Sequence, residues 1–435
     1  MAKQLILTLI VFLLASTVTG QRRNTPTKPT TSANEITEWR EVRQRAHVHA
    51  NDITSSMWGL IHTYQSKEEV DEVLHLLELF FRATGKNDIG LLRPIGGLNG
   101  FFKRFLILMH ADDDTVAGFS AKVLAVTGGK RYVAEIAQLL NTRDKSWTDE
   151  DTYPPVTLRG QAAVALSIAD ASEYKSQIAQ LLSSMNEYDR SGACAALSRL
   201  KAVEYSEQIA ALLLRKESSF LRDDSPIYAL VHMGVAAQYK ANIAAAMDDE
   251  FSSEANEAAI YALAHLQAKE YAPRIAKLLD HKYRRAYAAK ALALMQAKEY
   301  APRIAQLLDE KDEKLDVSAA FLALSILRAK EYAPQIAAIM RADQKSYVSN
   351  DAAGALVLMD AREYAREVVP LLKRNKGVYV DVGDLNPLVE TDIQRLNQEF
   401  RAKLAQFRRQ AFTRRVGRDL RQSTHRTKPA GRLGA

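Results

Sequence analysis

Nine histidines, a single cysteine and scattered carboxylates are the residues of this 435-residue chain best suited to carry chemistry. His47 and His49, with Asp52 nearby, come closest to a metal-ligand set. Residues two apart on a helix face different directions, and on an extended segment they point to opposite sides, so this pair would not share one ion. The run Asp112-Asp113-Asp114 offers carboxylates for a cation, but capping of a helix start and its dipole account for it as well. Cys194 occupies an alanine-like place in SGACAALSRL. It reads as a small buried hydrophobe, with a reactive thiol or an intermolecular bridge as the other use. No His-Glu-x-x-His, glycine-rich phosphate loop, Gly-x-Ser-x-Gly elbow or Cys-x-x-Cys is present. The expectation is therefore no catalytic residue, no metal and no cofactor, in a chain that is not an enzyme.

The elements that would position any site are announced by repetition. AKEYAPRIAKLLD ends at Asp280, and AKEYAPRIAQLLDE returns ending at Glu310. The anchor of the phrase is a tyrosine, at Tyr132, Tyr174, Tyr205, Tyr239, Tyr271, Tyr300, Tyr332 and Tyr364, with spacings of 42, 31, 34, 32, 29, 32 and 32 residues. Four residues after each stands Ile or Val, and apolar residues follow seven and eight after it, which sets one apolar face on a helix. Upstream of each anchor lies an alanine-rich stretch, such as NEAAIYALAHLQ or VSAAFLALSIL, of high helix propensity. Pro273, Pro302 and Pro334 fall in the first turn of the second helix, where a missing N–H is harmless. The unit is thus helix, short turn, helix. Units of this size cannot bury a core alone and must stack. The tyrosine ring is expected to plug the gap between units with its hydroxyl at the wet edge; a ladder of ligand-binding phenols is the alternative.

The alanine-rich first helix and the Ile-Ala-x-Leu-Leu core of the second resemble the HEAT-repeat superfamily, and within it the short bacterial type also found in phycobilisome-lyase-like proteins. The resemblance covers roughly Asp112 to Lys373. It implies an all-α, HEAT-like α-α superhelix, a right-handed solenoid of about eight two-helix repeats, of a kind that mostly builds docking surfaces. It implies no lyase residues, since it is confined to the scaffold. The iron-holding hydroxylases of the superfamily use His-Glu dipeptides, and this chain has none.

Six segments are expected. Residues 1–20 read as a signal peptide, from Lys3 and the apolar run Leu5 to Val18, with cleavage near Gly20 and export to the periplasm or beyond. A retained membrane anchor is the alternative. Residues 21–35 are a Thr/Pro-rich linker, and 36–111 a degenerate helical cap. Residues 112–375 form the repeat array, 376–390 an irregular connector, and 391–435 a basic amphipathic helix and tail. That tail carries Ile393, Leu396, Phe400, Leu404 and Phe407 at helical spacing, with Val416 and Leu420 further on, and twelve Lys/Arg from residue 394 onward against Glu399 and Asp419. The whole chain is +7, so the +1 of Lys3 and the +10 of the tail leave residues 21–393 at about −4, too acidic for a nucleic-acid groove.

Two surfaces follow as candidates. With the tyrosine-anchored apolar positions turned inward, offsets +3 and +6 should face solvent, giving an amide-rich strip with a basic centre: Gln177, Gln208, Arg274, Lys277, Arg303, Gln306 and Gln335. Such a strip suits an extended protein or peptide partner on the concave face. The second is Arg401, Arg408, Arg409, Arg414, Arg415 and Arg418, which would meet an anionic surface, membrane or polysaccharide. Capping of the last repeat is the plainer use of that helix. The functional expectation is an exported interaction scaffold; an anchor on an anionic surface, or an accessory to an envelope enzyme, is the alternative.

Overall fold

A computed structural model describes residues 33–53, 68–142, 157–214, 226–247, 253–309, 314–342, 347–374 and 387–426. The expected signal segment, most of the linker and most of the connector lie outside them. The chain divides into two compact units, Met1–Val235 and Ala236–Ala435. Both are all-α, and no strand occurs among the described residues.

The first unit begins with α1 (Ala33–Val48), α2 (Glu68–Lys86) and α3 (Gly97–Leu108). Layers of paired helices follow. The first helices of the layers are α4 (Asp114–Gly128), α6 (Leu158–Ile168), α8 (Glu187–Arg199) and α10 (Pro226–His232), and the second helices are α5 (Val133–Gln138), α7 (Lys175–Gln180) and α9 (Ser206–Leu212). First helices pack on one another in chain order, and each second helix packs against the first helix that follows it. Asp113 starts α4 as its cap, accepting from the backbone of Thr115 at 2.9 Å and Val116 at 3.1 Å, which disposes of the acidic run as helix chemistry. Cys194 is fully buried in α8. Where α6 meets α8 the backbones touch: a Cβ at Gly192 would lie 2.6 Å from the Gly160 backbone.

The first three helices bring an aromatic core. Trp39 meets Phe80 edge-on at 5.9 Å, Phe80 stacks on Phe101 at 4.9 Å, and Phe102 lies 5.4 Å from Tyr132. Tyr132 is only 6 % exposed, while the other seven anchor tyrosines are half-buried. Each ring is thus at least partly withdrawn from solvent, most completely at Tyr132. Burial pushes the Tyr132 phenol up, partly offset by Arg131.

The second unit repeats the plan. Its first helices are α12 (Ser253–His265), α14 (Arg285–Leu294), α16 (Lys314–Leu327) and α18 (Tyr347–Leu358). Its second helices are α11 (Lys240–Ala246), α13 (Ala272–Lys277), α15 (Ala301–Gln306), α17 (Ala333–Ala342) and α19 (Ala365–Arg374). The last described element is α20 (Glu390–Arg426), 37 residues long and packed on α18 and α19.

The turn between paired helices is the same device in the seven layers that follow the first. The first helix ends on a left-handed residue: Asp170, Lys201, Gln267, Gln296, Arg328 and Asp360 have φ between 50° and 57°, and Gly234 has 77°. The next N–H reaches back five residues in a Schellman closure, as from Ala171 to Leu166, Ala268 to Leu263 and Ala361 to Leu356. In six of the seven turns the residue making that bond is a buried alanine, and after Gly234 it is Val235. Six of the seven positions carry a side chain where glycine would be easier, at a cost of about 1 kcal/mol each. Arg328 uses its side chain to pair with Glu399 at 3.2 Å.

Candidate functional site

The second-helix strip can be built residue by residue. Gln177, Gln208, Lys277 and Gln306 are exposed, while Arg274, Arg303 and Gln335 are half-buried. The two units use these positions differently. In the first unit Gln138 on α5, Gln177 and Gln180 on α7, and Gln208 on α9 are all exposed and make no hydrogen bond to any described residue. In the second unit the strip is laced from layer to layer. Arg303 donates to both oxygens of Asp280 at 3.0 Å, Gln335 donates to Asp309 at 3.2 Å, and Arg341 grips Glu367 through two bonds of 2.5 and 2.9 Å. The Arg341 hydrogen bond holds the Glu367 carboxyl below its ordinary value of 4.5. The basic centre expected from the sequence is thus partly consumed: Arg303 is committed to Asp280, whereas Lys277 remains open.

A second, buried ladder escaped the sequence reading. Asp189, with no exposed surface, sits in the first turn of α8. It accepts from Thr157 at 2.6 Å and Ser184 at 2.8 Å, and pairs with Arg159 of the preceding first helix. The second unit has the counterpart in Arg285 and Asp316 at 2.6 Å, and in Ser318 and Asp351 at 2.7 Å. A carboxylate buried at a helix start is tolerated because the dipole and the donor shell replace water. Its signal in the sequence was an Asp in the first turn of some alanine-rich helices, one repeat after an Arg, as Asp189 follows Arg159 and Asp316 follows Arg285. The ladder holds the first helices in register and so sets where the second helices present their side chains.

The basic terminal helix is also partly accounted for by packing. Leu396, Phe400 and Phe407 are buried at 4, 3 and 0 % exposure, so α20 docks through one face. It lies at the carboxyl ends of first helices, where unpaired carbonyls carry partial negative charge. Lys403 donates to the Leu358 carbonyl that ends α18, Arg328 pairs with Glu399 at 3.2 Å, and Arg362 donates to Gln406 at 2.6 Å. Burial pushes the Glu399 carboxyl up, but hydrogen bonding from Lys403 and the charges of Lys403, Arg328 and Arg395 outweigh it and hold it below 4.5. Between α20 and the ends of α12 to α18 lies a cavity of about 360 Å³ lined by Gln267, Gln296, Lys298, Arg328, Arg395 and Glu399. Arg401, Arg408 and Arg409 are exposed. Arg414, Arg415 and Arg418 lie further along the same helix, where only its backbone is described.

The histidine cluster comes apart. His49 Nδ1 lies 3.1 Å from Asp52, whose other oxygen accepts from Arg199 at 2.7 Å. His47 instead lines a separate cavity of about 320 Å³ with Arg40, Arg43, Phe81 and Thr84. Among the described residues no group of three or more His, Cys, Asp or Glu is gathered as metal ligands would be.

No family model matches the chain, and no curated protein does. Among solved structures, the complex of CpcE and CpcF of phycocyanin lyase from Nostoc sp. PCC7120 is similar, at 20 % identity over 60 % of this chain and 94 % of that one, with a TM-score of 0.32. An engineered protein is similar at 16 % identity over 91 % of this chain and 99 % of that one, with a TM-score of 0.27. The paired helices are HEAT-like, as the repeat register implied. One expectation is corrected here. The lack of catalytic motifs led to a chain that is not an enzyme, yet one of these similar structures is that of a lyase, so that exclusion is withdrawn. The physical reason is that a stacked-helix scaffold assembles polar groups from different layers, which linear motifs do not reveal.

Proposed function

We propose that this HEAT-like chain is a protein-binding scaffold whose partner lies along the second-helix face of the first unit. The observation that carries the reading is the row Gln138, Gln177, Gln180 and Gln208. These amides recur at fixed offsets on three successive second helices, are exposed, and have no partner among the described residues. An amide offers both donor and acceptor, so such a row matches the alternating N–H and C=O of an extended segment. The matching positions of the second unit are largely tied to neighbouring layers, which favours the first unit as the docking face. The partner meets a rigid surface, because the buried Asp189 network fixes the helices beneath it.

Export is part of the same reading. Its support is the apolar run from Leu5 to Val18 behind Lys3, ending in small residues at Gly20. Amino-terminal sequencing of the protein recovered from its source cell should begin at Gln21; an intact Met1 would reverse that step in favour of an anchor.

The docking face is tested with a photo-crosslinking amino acid placed at position 177, 208 or 306 of the full chain, in the cell that makes it. One discrete protein adduct from 177 and 208, absent from 306 and lost in Q138A/Q180A, supports the reading. An equal pattern from all three positions overturns it.

A further inference from the structure

One side of α1 carries a row of polar groups with no partner among the described residues. Arg40, Arg43, Gln44 and His47 follow at helical spacing, and at about 100° per residue they share about 100° of the circumference. With Ala46, and with Phe81 and Thr84 of α2, they line a cavity of about 320 Å³. Every lining residue is described, and all belong to the first unit. Phe81 and Ala46 are 2 and 4 % exposed and make an apolar floor. Arg40, Gln44 and His47 are exposed and make the rim, with Arg43 half-buried. No Asp or Glu lines the cavity.

The two arginines differ from their neighbours. Arg45 donates to the Thr127 carbonyl at 2.7 Å, Arg82 lies 3.5 Å from Glu78, Arg104 2.8 Å from Glu72 and Arg131 2.7 Å from Glu38. Each of these charges meets an oxygen of its own unit. Arg40 and Arg43 meet none among the described residues. The carboxylates closest in sequence are engaged elsewhere, Glu38 with Arg131 and Glu41 with Arg45. The chain flanking α1 offers no replacement. Residues 1–32 and 54–67 carry Lys3, Arg22, Arg23, Lys28 and Lys67, and no Asp or Glu.

We infer that this cavity binds a small amphiphilic anion, with an apolar body and an oxyanion head. The body lies on Phe81 and Ala46. The head meets the guanidinium forks of Arg40 and Arg43, whose paired N–H groups suit the oxygens of a carboxylate or a phosphate. Gln44 and His47 add donors at the rim. A bare inorganic anion would leave the floor uncovered, and a neutral apolar molecule would leave both arginines unpaired. The volume is at the small end of ligand pockets, so it admits a fused ring pair or a short acyl chain and not a dinucleotide.

The test is calorimetric titration of the full chain with 2-naphthoate, 2-naphthyl phosphate and the uncharged 2-naphthalenemethanol. One or both anions should saturate at one per chain, the tighter of them naming the head group, while the alcohol and inorganic phosphate should not. R40Q/R43Q should weaken the anion about tenfold or more while keeping the parent's helix content, since neither side chain is in the core. R82Q/R104Q removes the same charge from the same unit outside the cavity and should leave affinity unchanged. Parental binding by R40Q/R43Q, an equal loss in R82Q/R104Q, equal binding of the alcohol, or no saturable binding of either anion overturns the proposal. The glutamine row takes no part in these titrations, so the scaffold reading stands or falls separately.

Discussion

The two compact units spend the same positions in opposite ways. In the first, the amides of α5, α7 and α9 are exposed and unengaged, while the stabilising polar contacts lie beneath, around the fully buried Asp189. In the second, half-buried second-helix positions are laced together through Arg303 and Gln335, Arg341 ties in Glu367, and first-helix ends are met by α20, while the exposed Lys277 and Gln306 stay outside the lacing. The lesson is that a repeat's solvent face is not automatically a binding face. It becomes one only where the layers are held by something else.

That contrast can be broken most forcefully at the terminal helix. Phe407 is fully buried in the second unit, and Phe407→Ala should cost about 4 kcal/mol there. Hydrogen exchange should show lost protection in α18 to α20 and unchanged protection in α4 to α8. If protection were unaffected, α20 would not be part of the unit's core.

Next come the buried carboxylates. Asp189→Ala removes three hydrogen bonds from a buried network and should cost about 3 kcal/mol in denaturant unfolding. Asp316→Ala removes its single bond to Arg285 and should cost about 2 kcal/mol. Equal effects would erase the claim that the first unit relies more on its interior. Gly192→Ala forces a methyl group within 2.6 Å of the Gly160 backbone and should cost about 2 kcal/mol, read as a lower thermal midpoint.

The smallest effect is electrostatic. Glu399 has a folded-state value below 4.5, so its contribution is present above the unfolded value and is lost as pH falls through the folded one. Limited proteolysis of α20 should therefore accelerate on acidification below about pH 4.5. Glu399→Gln should flatten that dependence while leaving the first unit's digestion unchanged. An unaltered profile would assign the acid sensitivity elsewhere.

Helix identity and pairing were legible because their causes are local. Alanine-rich stretches, the tyrosine anchor and the Pro273-type helix starts each act within a few residues, so a period of about 30 residues was enough to lay out the layers. The candidate surface was legible only in outline. Of the seven strip residues expected to face solvent, Gln177, Gln208, Lys277 and Gln306 are exposed, while Arg274, Arg303 and Gln335 are half-buried. Their availability does not follow from helical periodicity. Whether Arg303 is free depends on Asp280, 23 residues away, and whether Lys403 is free depends on a carbonyl 45 residues away.

Taken by itself, the order of residues determined that this chain is made of stacked helix pairs, each with its tyrosine anchor. Only the tertiary structure decided which polar side chains are consumed within the array and which face of the terminal helix is covered. The reason is geometric. Backbone conformation responds to neighbours along the chain, whereas a side chain's partner is chosen by which layer folding brings alongside it.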